Sequence, residues 1–227
     1  DRRSVGRARH RGSRLVRVGR DDIARWEQAY GRLADVWPLA PLQPGLYFHA
    51  VLTEHAVPTE PSTSDDTGVD VYNVQAVVRF RGVLERDRLR RAAHELLRRY
   101  PNLRAAFVSD AMGAPRQVVP ETVVLPWRDA QVSSESDLAA LIARERAHRF
   151  VPAAPPLVRF ALARRSDSEF VLIVTYHHIL LDGWSVPLVT RDLLALYAAD
   201  GPLPTAAGSF RSYLEWVHDR DTAVSVA

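Results

Sequence analysis

The sequence predicts an α/β chain of the α+β, two-layer kind, with a mixed sheet covered by helices. Helical and strand patterns follow one another without the strict alternation of a doubly wound sheet. Residues 170–176 (FVLIVTY) are apolar at both parities, which places that strand centrally, with cover on both faces. The 227 residues, 47% hydrophobic and 25% charged, suffice for one or two domains with a sizeable core.

DDIARWEQAYGRL reads as an amphipathic helix capped by Asp21 or Asp22, with Ile23, Trp26 and Tyr30 on one face. In WPLAPLQPGLYFHAVL, Pro38, Pro41 and Pro44 force an extended or turning lead-in, after which Leu46, Tyr47, His49, Ala50 and Val51 suit a helix. Residues 55–70, rich in Pro, Ser, Thr and Asp, are expected to form a mobile loop. VYNVQAVVRFRG alternates as a strand ended by Gly82. LERDRLRRAAHELLRRY sets Leu89, Ala92, Ala93, Leu96 and Leu97 on one helical face and arginines on the other, solvated side. Pro101 stops that helix, and LRAAFV and RQVVP form two short strands around a Met112-Gly113 turn. SESDLAALIARERAHRF is a helix with a Ser/Asp/Glu-rich cap, and LVRFALAR and EFVLIVTYHH are strands joined by the hairpin loop RSDS. Ser185 is expected to cap a helix running to Gly201 with Pro187 in its first turn, and a last helix covers FRSYLEWVHDRD.

No stretch approaches the ~18 uncharged apolar residues of a membrane span, and no apolar segment near residue 1 suggests a secretory leader. The lack of cysteine excludes a disulfide framework, a thiolate zinc site and a cysteine nucleophile, and suits the reducing cytoplasm. The net charge of +3 and pI near 9.6 are local in origin. Residues 1–20, with eight Arg and one Asp, carry +7, so the remainder sums to −4. No aromatics interleave with those arginines, so residues 1–20 are expected to be a flexible linker rather than a nucleic-acid arm, ahead of a folded unit over 21–227.

The chemistry concentrates in TYHHILLDGWS, residues 175–185. Neighbouring strand residues send side chains to opposite faces, so His177 and His178 cannot easily grip one ion, and no metal is expected. Parity instead gives one histidine to the layer behind the sheet and leaves the other free, where an imidazole with a pKa near 6.5 suits proton transfer. Asp182 can orient an imidazole as in a triad, or pair with an arginine and hold the turn; its place on a tight turn favours the second. Gly183 permits a turn or the close approach of another backbone.

This HHxxxDG stretch, His177 to Gly183, resembles the signature of the condensation domains of nonribosomal peptide synthetases. PLAPLQPGLYFH (38–49), RRYPNLRAAF (98–107) and YLEWVHDRD (213–221) are similar, in order, to the family's first, second and fourth motif regions. The resemblance runs from about residue 21 to 221. It implies a chloramphenicol acetyltransferase-like lobe, half of a two-lobe, V-shaped domain whose motifs for the second lobe have no counterpart here. The chain is therefore read as the N-terminal lobe.

By the same resemblance, a donor acyl group and an acceptor aminoacyl group arrive as phosphopantetheine thioesters on two peptidyl carrier proteins, and a peptide bond forms between them. Such domains serve antibiotic biosynthesis. His178 matches the catalytic histidine, His177 and Asp182 the structural positions, and Gly183 faces the thioester or the pantetheine arm. Trp184 and Ser185, which continue the signature, and Arg104, within the second motif region, are further supporting positions. No cofactor is bound by the lobe itself. The C-terminal lobe and an adjoining adenylation domain are the other expected partners. Epimerization domains share HHxxxDG, but Trp184-Ser185 and PLAPLQPGLYFH fit condensation better. Plant-type acyltransferases need only HxxxD. A non-catalytic carrier-docking or scaffold role is the alternative of another class. A lone lobe lacks one wall of the tunnel, so it is expected to be inactive by itself and to expose apolar surface.

Overall fold

A computed structural model of the chain describes residues 15–55, 70–199, 203–204 and 208–225. The first part of the basic segment, the mobile loop expected at 55–70 apart from its two ends, and the expected helix end at Gly201 lie outside these residues. Within 15–19, Leu15 is buried in the main core, and Val16 and Val18 pack beside Trp26.

Helix α1 (Arg20–Tyr30) takes Gly19 as its N-cap rather than Asp21 or Asp22, which lie in its first turn. Their charges suit the positive end of the helix dipole. Asp22 is drawn away from capping because its carboxylate accepts from Arg25 and from Ala111 N, 2.7 and 3.0 Å away. An unexpected short strand follows, β1 (Leu33–Trp37), and then helix α2 (Gln43–His55). Strand β2 (Asn73–Arg81) ends at Gly82, whose φ of 99° suits glycine. Helix α3 (Arg86–Arg99) buries the five apolar residues its pattern singled out, and a 3₁₀ turn (Pro101–Arg104) follows it.

Strands β3 (Ala106–Ser109) and β4 (Pro115–Pro120) form the expected hairpin, with Gly113 at φ 80° in its turn. A second strand that the sequence pattern does not announce, β5 (Trp127–Gln131), precedes helix α4 (Glu135–Ala147). Ser134 and Asp137 close a reciprocal capping box at the start of α4. Strands β6 (Val158–Arg164) and β7 (Glu169–His177), helix α5 (Ser185–Ala198) and helix α6 (Phe210–Ser225) complete the order.

Two sheets result. One is antiparallel, in the order β1-β4-β3; the other runs β2-β7-β6-β5 and is mixed, because only β5 and β6 pair in parallel. Strand β7 lies inside the second sheet, in the central position that its two apolar parities require. Its even-numbered residues, with Phe160 and Leu162 of β6, join the main core with Leu89 and Leu96 of α3 and Leu193 of α5. Val171 and Ile173, with Ala161 and Ala163, pack instead against Leu138 and Leu141 of α4. This parity fixes the direction of every side chain at the strand's end. Helix α6 is anchored by Leu214 in the core, by Phe210 against the Trp37 ring, and by Arg211, which donates to Asp35 at 2.6 Å.

Leu172, fully buried in β7, and Val77, 43% exposed on the edge strand β2, test this placement. Leu172→Ala is expected to cost about 2–5 kcal/mol in urea unfolding. Val77→Ala is expected to cost less than about 1 kcal/mol. Equal losses would contradict a central β7.

Candidate active site

The end of β7 separates the two histidines. Asn73 and His177 face each other across β2 and β7, and the ladder runs one residue further, where His178 N donates to Tyr72 O at 2.8 Å. His177 shares the parity of Val171 and Ile173 and is only 1% exposed, whereas His178 is exposed. The first ring is part of the interior and the second is available to a ligand.

His177 Nδ1 accepts the Ile179 N–H at 3.1 Å. A ring nitrogen that accepts carries no proton, so the neutral ring has its hydrogen on Nε2. Burial, aided by neighbouring His178 and opposed by Asp70, holds this imidazole's pKa below the ordinary 6.5. Leu180 N donates to His177 O at 3.0 Å, and Ile179, Leu180 and Leu181 are buried in the main core. The three residues inside the motif are thus the anchor that holds His178 and Asp182 in place at either end.

Asp182 holds the turn, but not through the arginine that the sequence suggested. Its Oδ1 accepts from Ser185 N at 2.8 Å and from Ser185 Oγ at 2.7 Å, and no arginine pairs with it in the ion pairs among the described residues. Those hydrogen bonds from Ser185, with a smaller contribution from His178, keep the Asp182 carboxyl below its usual range. The opening of α5 supplies an unpaired N–H within reach of a carboxylate three residues back, closer than any long arginine side chain needs to be. Ser185 is consequently the first residue of α5, with a hydroxyl that donates rather than accepts, and Trp184 takes the cap position.

Gly183 has an ordinary φ, and a Cβ built there meets nothing within 4 Å. No backbone among the described residues makes the close approach expected at this glycine. Trp184 is 88% exposed. Arg104 is buried and serves the scaffold: Nη1 donates to Leu97 O and Arg98 O at 2.6 and 3.1 Å, and Nε to Pro120 O at 3.1 Å. It thereby satisfies carbonyls at the C-terminal end of α3. It is not among the residues around His178.

His178 and Asp182 open onto a cavity of about 310 Å³ whose other walls include Leu42, Gln43, Leu46 and Tyr213. A second cavity of about 590 Å³, bordered by Arg98, Arg99 and Tyr100, shares Leu181, Ser185 and Phe210 with the first. Both first and fourth motif regions therefore reach the His178 cavity, through Gln43 and Tyr213. Gln43 and Gln117 are buried polar residues that the sequence pattern did not single out. The signal for Gln43 was present: a glutamine inside the first motif region, between two prolines.

The fold and this site define a condensation domain. The family model of that name matches residues 33–224, and the chain belongs to the condensation domain family. Among curated relatives, chondramide synthase of Chondromyces crocatus is 33% identical over 85% of the chain, and one of the proteins that make up the linear gramicidin synthase of Brevibacillus parabrevis is 34% identical over 83%. The chain spans only 6% and 2% of those proteins. Among solved structures, the first condensation domain of the calcium-dependent antibiotic synthetase, in complex with a substrate analogue, superposes with a TM-score of 0.70 at 20% identity, over 84% of this chain and 46% of that one. The X-domain from teicoplanin biosynthesis, in complex with OxyB, gives 0.65 at 27% identity, over 80% of this chain and 38% of that one. The chain thus corresponds to less than half of each solved chain.

The lowered pKa of His177 has a consequence for stability. In the unfolded chain a histidine takes up its proton near pH 6.5; in the folded chain His177 does so only at lower pH. Its stabilising contribution is therefore complete above about pH 6.5 and is lost as pH falls below it, by at most ~1.4 kcal/mol per pH unit. Urea midpoints between pH 7.5 and 5.5 are expected to fall in the wild type and to fall less in His177→Gln. The same slope in both would overturn the assignment of a buried neutral ring.

Proposed function

We propose that residues 21–227, together with residues 15–20 of the expected linker, which pack on the core, form the N-terminal lobe of a condensation domain, and that the lobe carries the HHxxxDG half of a peptide-forming site in nonribosomal peptide biosynthesis. The observation that carries this reading is the pairing of an exposed His178 with a cavity shared by the first, third and fourth motif regions. The substrates are a donor acyl or peptidyl thioester and an acceptor aminoacyl thioester, each on the phosphopantetheine arm of a peptidyl carrier protein. The acceptor nitrogen attacks the donor carbonyl carbon, the carbon–sulfur bond breaks, and the donor thiol leaves as the nitrogen gives up a proton.

His178 is the catalytic residue in this reading. It acts by taking that proton or by holding the amine through a hydrogen bond, and both roles require a ring nitrogen facing the thioester carbon. His177 and Asp182 position it, one through the Ile179 amide and the other through the start of α5. Gly183 leaves space for a pantetheine arm or for the second lobe, since nothing among the described residues comes within 4 Å of where a Cβ would lie. Trp184 and Ser185 support the same turn. The C-terminal lobe supplies the facing wall and an adenylation domain loads the acceptor. Without the second lobe, water is not excluded and the lone lobe gives no product.

A docking role without turnover has one observation behind it, the likeness to an X-domain solved with OxyB. One measurement separates the two. In the full-length protein, with carriers loaded, peptidyl thioester is expected on the acceptor carrier, and His178→Ala is expected to lower its rate by about 100-fold or more. A rate unchanged by His178→Ala would sink the role of that histidine, and a folded full-length protein that never forms the bond would favour docking.

A further inference from the structure

The turn that carries His178 is held from two sides at a single residue, Ile179. On one side His177 Nδ1 accepts the Ile179 N–H; on the other Gln43 Nε2 donates to Ile179 O at 2.8 Å. Gln43 lies at the start of α2, 136 positions away in sequence, and is only 7% exposed. Its amide orientation is fixed by its neighbours. Ala40 N–H, a donor, lies 2.7 Å from Oε1, and Ile179 O, an acceptor, faces Nε2, so the amide cannot be turned over without losing both bonds. Behind it Gln117, fully buried, places Oε1 3.4 Å from Gln43 Nε2 and donates its own amide to Pro38 O at 2.7 Å. The chain of contacts runs from β4 through both glutamines to the residue directly after His178.

We propose that Gln43 is a positioning residue for the reaction, setting the place of His178 by holding the Ile179 carbonyl. The inference rests on the function proposed for His178. A glutamine is needed at this place because the site demands an acceptor and a donor from one side chain of fixed length. Ile179 is buried, so a carbonyl deprived of its donor is costly to leave unpaired, and the adjoining His178 loses its fixed origin. A displacement of the order of 1 Å at a reacting group can lower a rate about 100-fold.

Gln43→Glu tests the donor half alone. The introduced carboxylate still accepts from Ala40 N–H but points oxygen at Ile179 O and Gln117 Oε1, so the turn is repelled at high pH. When protonated, the same carboxyl donates to Ile179 O and restores the hold. Burial among carbonyl oxygens disfavours its charge and raises its pKa, which brings the recovery within reach of a stable pH range.

The experiment compares Gln43→Glu with wild type in the full-length protein at each pH from 8 to 5.5. Hydrogen exchange of residues 179–181 is read by mass spectrometry, and peptidyl thioester formation is read with ATP and the twenty proteinogenic amino acids supplied. At pH 8 the variant is expected to exchange roughly tenfold faster, the equivalent of one lost buried hydrogen bond. It is also expected to form product at least tenfold more slowly, with both ratios returning towards one as pH falls. Ratios that do not change with pH would overturn the proposal, as would recovery of exchange without recovery of product. Where His178→Ala is inactive and Gln43→Glu behaves as wild type, only the role of Gln43 fails. Full activity in His178→Ala would instead overturn the function on which it rests.

Discussion

The local arrangement depends on one buried contact: an imidazole nitrogen that cannot leave the sheet accepts the amide proton of the residue two places on. His177 belongs to β7 by its ladder and to the α4 side by its parity, so its position is as fixed as that of Ile173. The ring carries this rigidity past the strand's end into the turn, where it adds to the bond from Leu180 N to His177 O. Because the ring is neutral, the contact needs no counter-charge in the interior, where an unpaired charge costs several kcal/mol.

From that fixed point the site follows in sequence order. Ile179 to Leu181 sink into the core, which leaves His178 on one side of the turn and Asp182 on the other. Asp182 then begins α5 by accepting from Ser185, and α5 packs on α3 across the same core. Apolar side chains stay exposed near the site: Leu42 in the wall of the His178 cavity, Leu188 in that of the neighbouring one, and Trp184 two residues after Asp182 are each more than half exposed. Surfaces of this kind mark contact with another body. They fit a lobe that spans less than half of the solved chains it matches.

Elements whose burial shows in a long run were legible in the sequence. Leu89 to Leu97 repeat at helical spacing for a little over two turns, and residues 170–176 are apolar at both parities, so α3 and β7 could be placed from the sequence alone. Strands β1 and β5 were not, because each has five residues with mixed exposure and pairs with a strand remote in sequence. The split of the histidine pair was equally readable, since it depends only on strand period. The partner of Asp182 was not: an abundance of arginine says nothing about reach, and the winning donor was the serine three residues on. Gln43 carried a signal, its place inside the first motif region, but what it does was hidden for another reason. At the first turn of a helix a glutamine resembles a solvated residue, and only the approach of Ile179 O from a distant turn reveals what it holds.

The central claim is that His177 is a neutral ring with its only proton on Nε2 and its Nδ1 bonded to the Ile179 amide. Nitrogen NMR of the histidine rings at pH 7.5 tests it most directly, because the two nitrogens and the charged ring give distinct signals. The result expected is a neutral ring with hydrogen on Nε2 and an accepting Nδ1, assigned to residue 177 by its absence in His177→Gln. A charged ring at that pH, or a hydrogen on Nδ1, would contradict it.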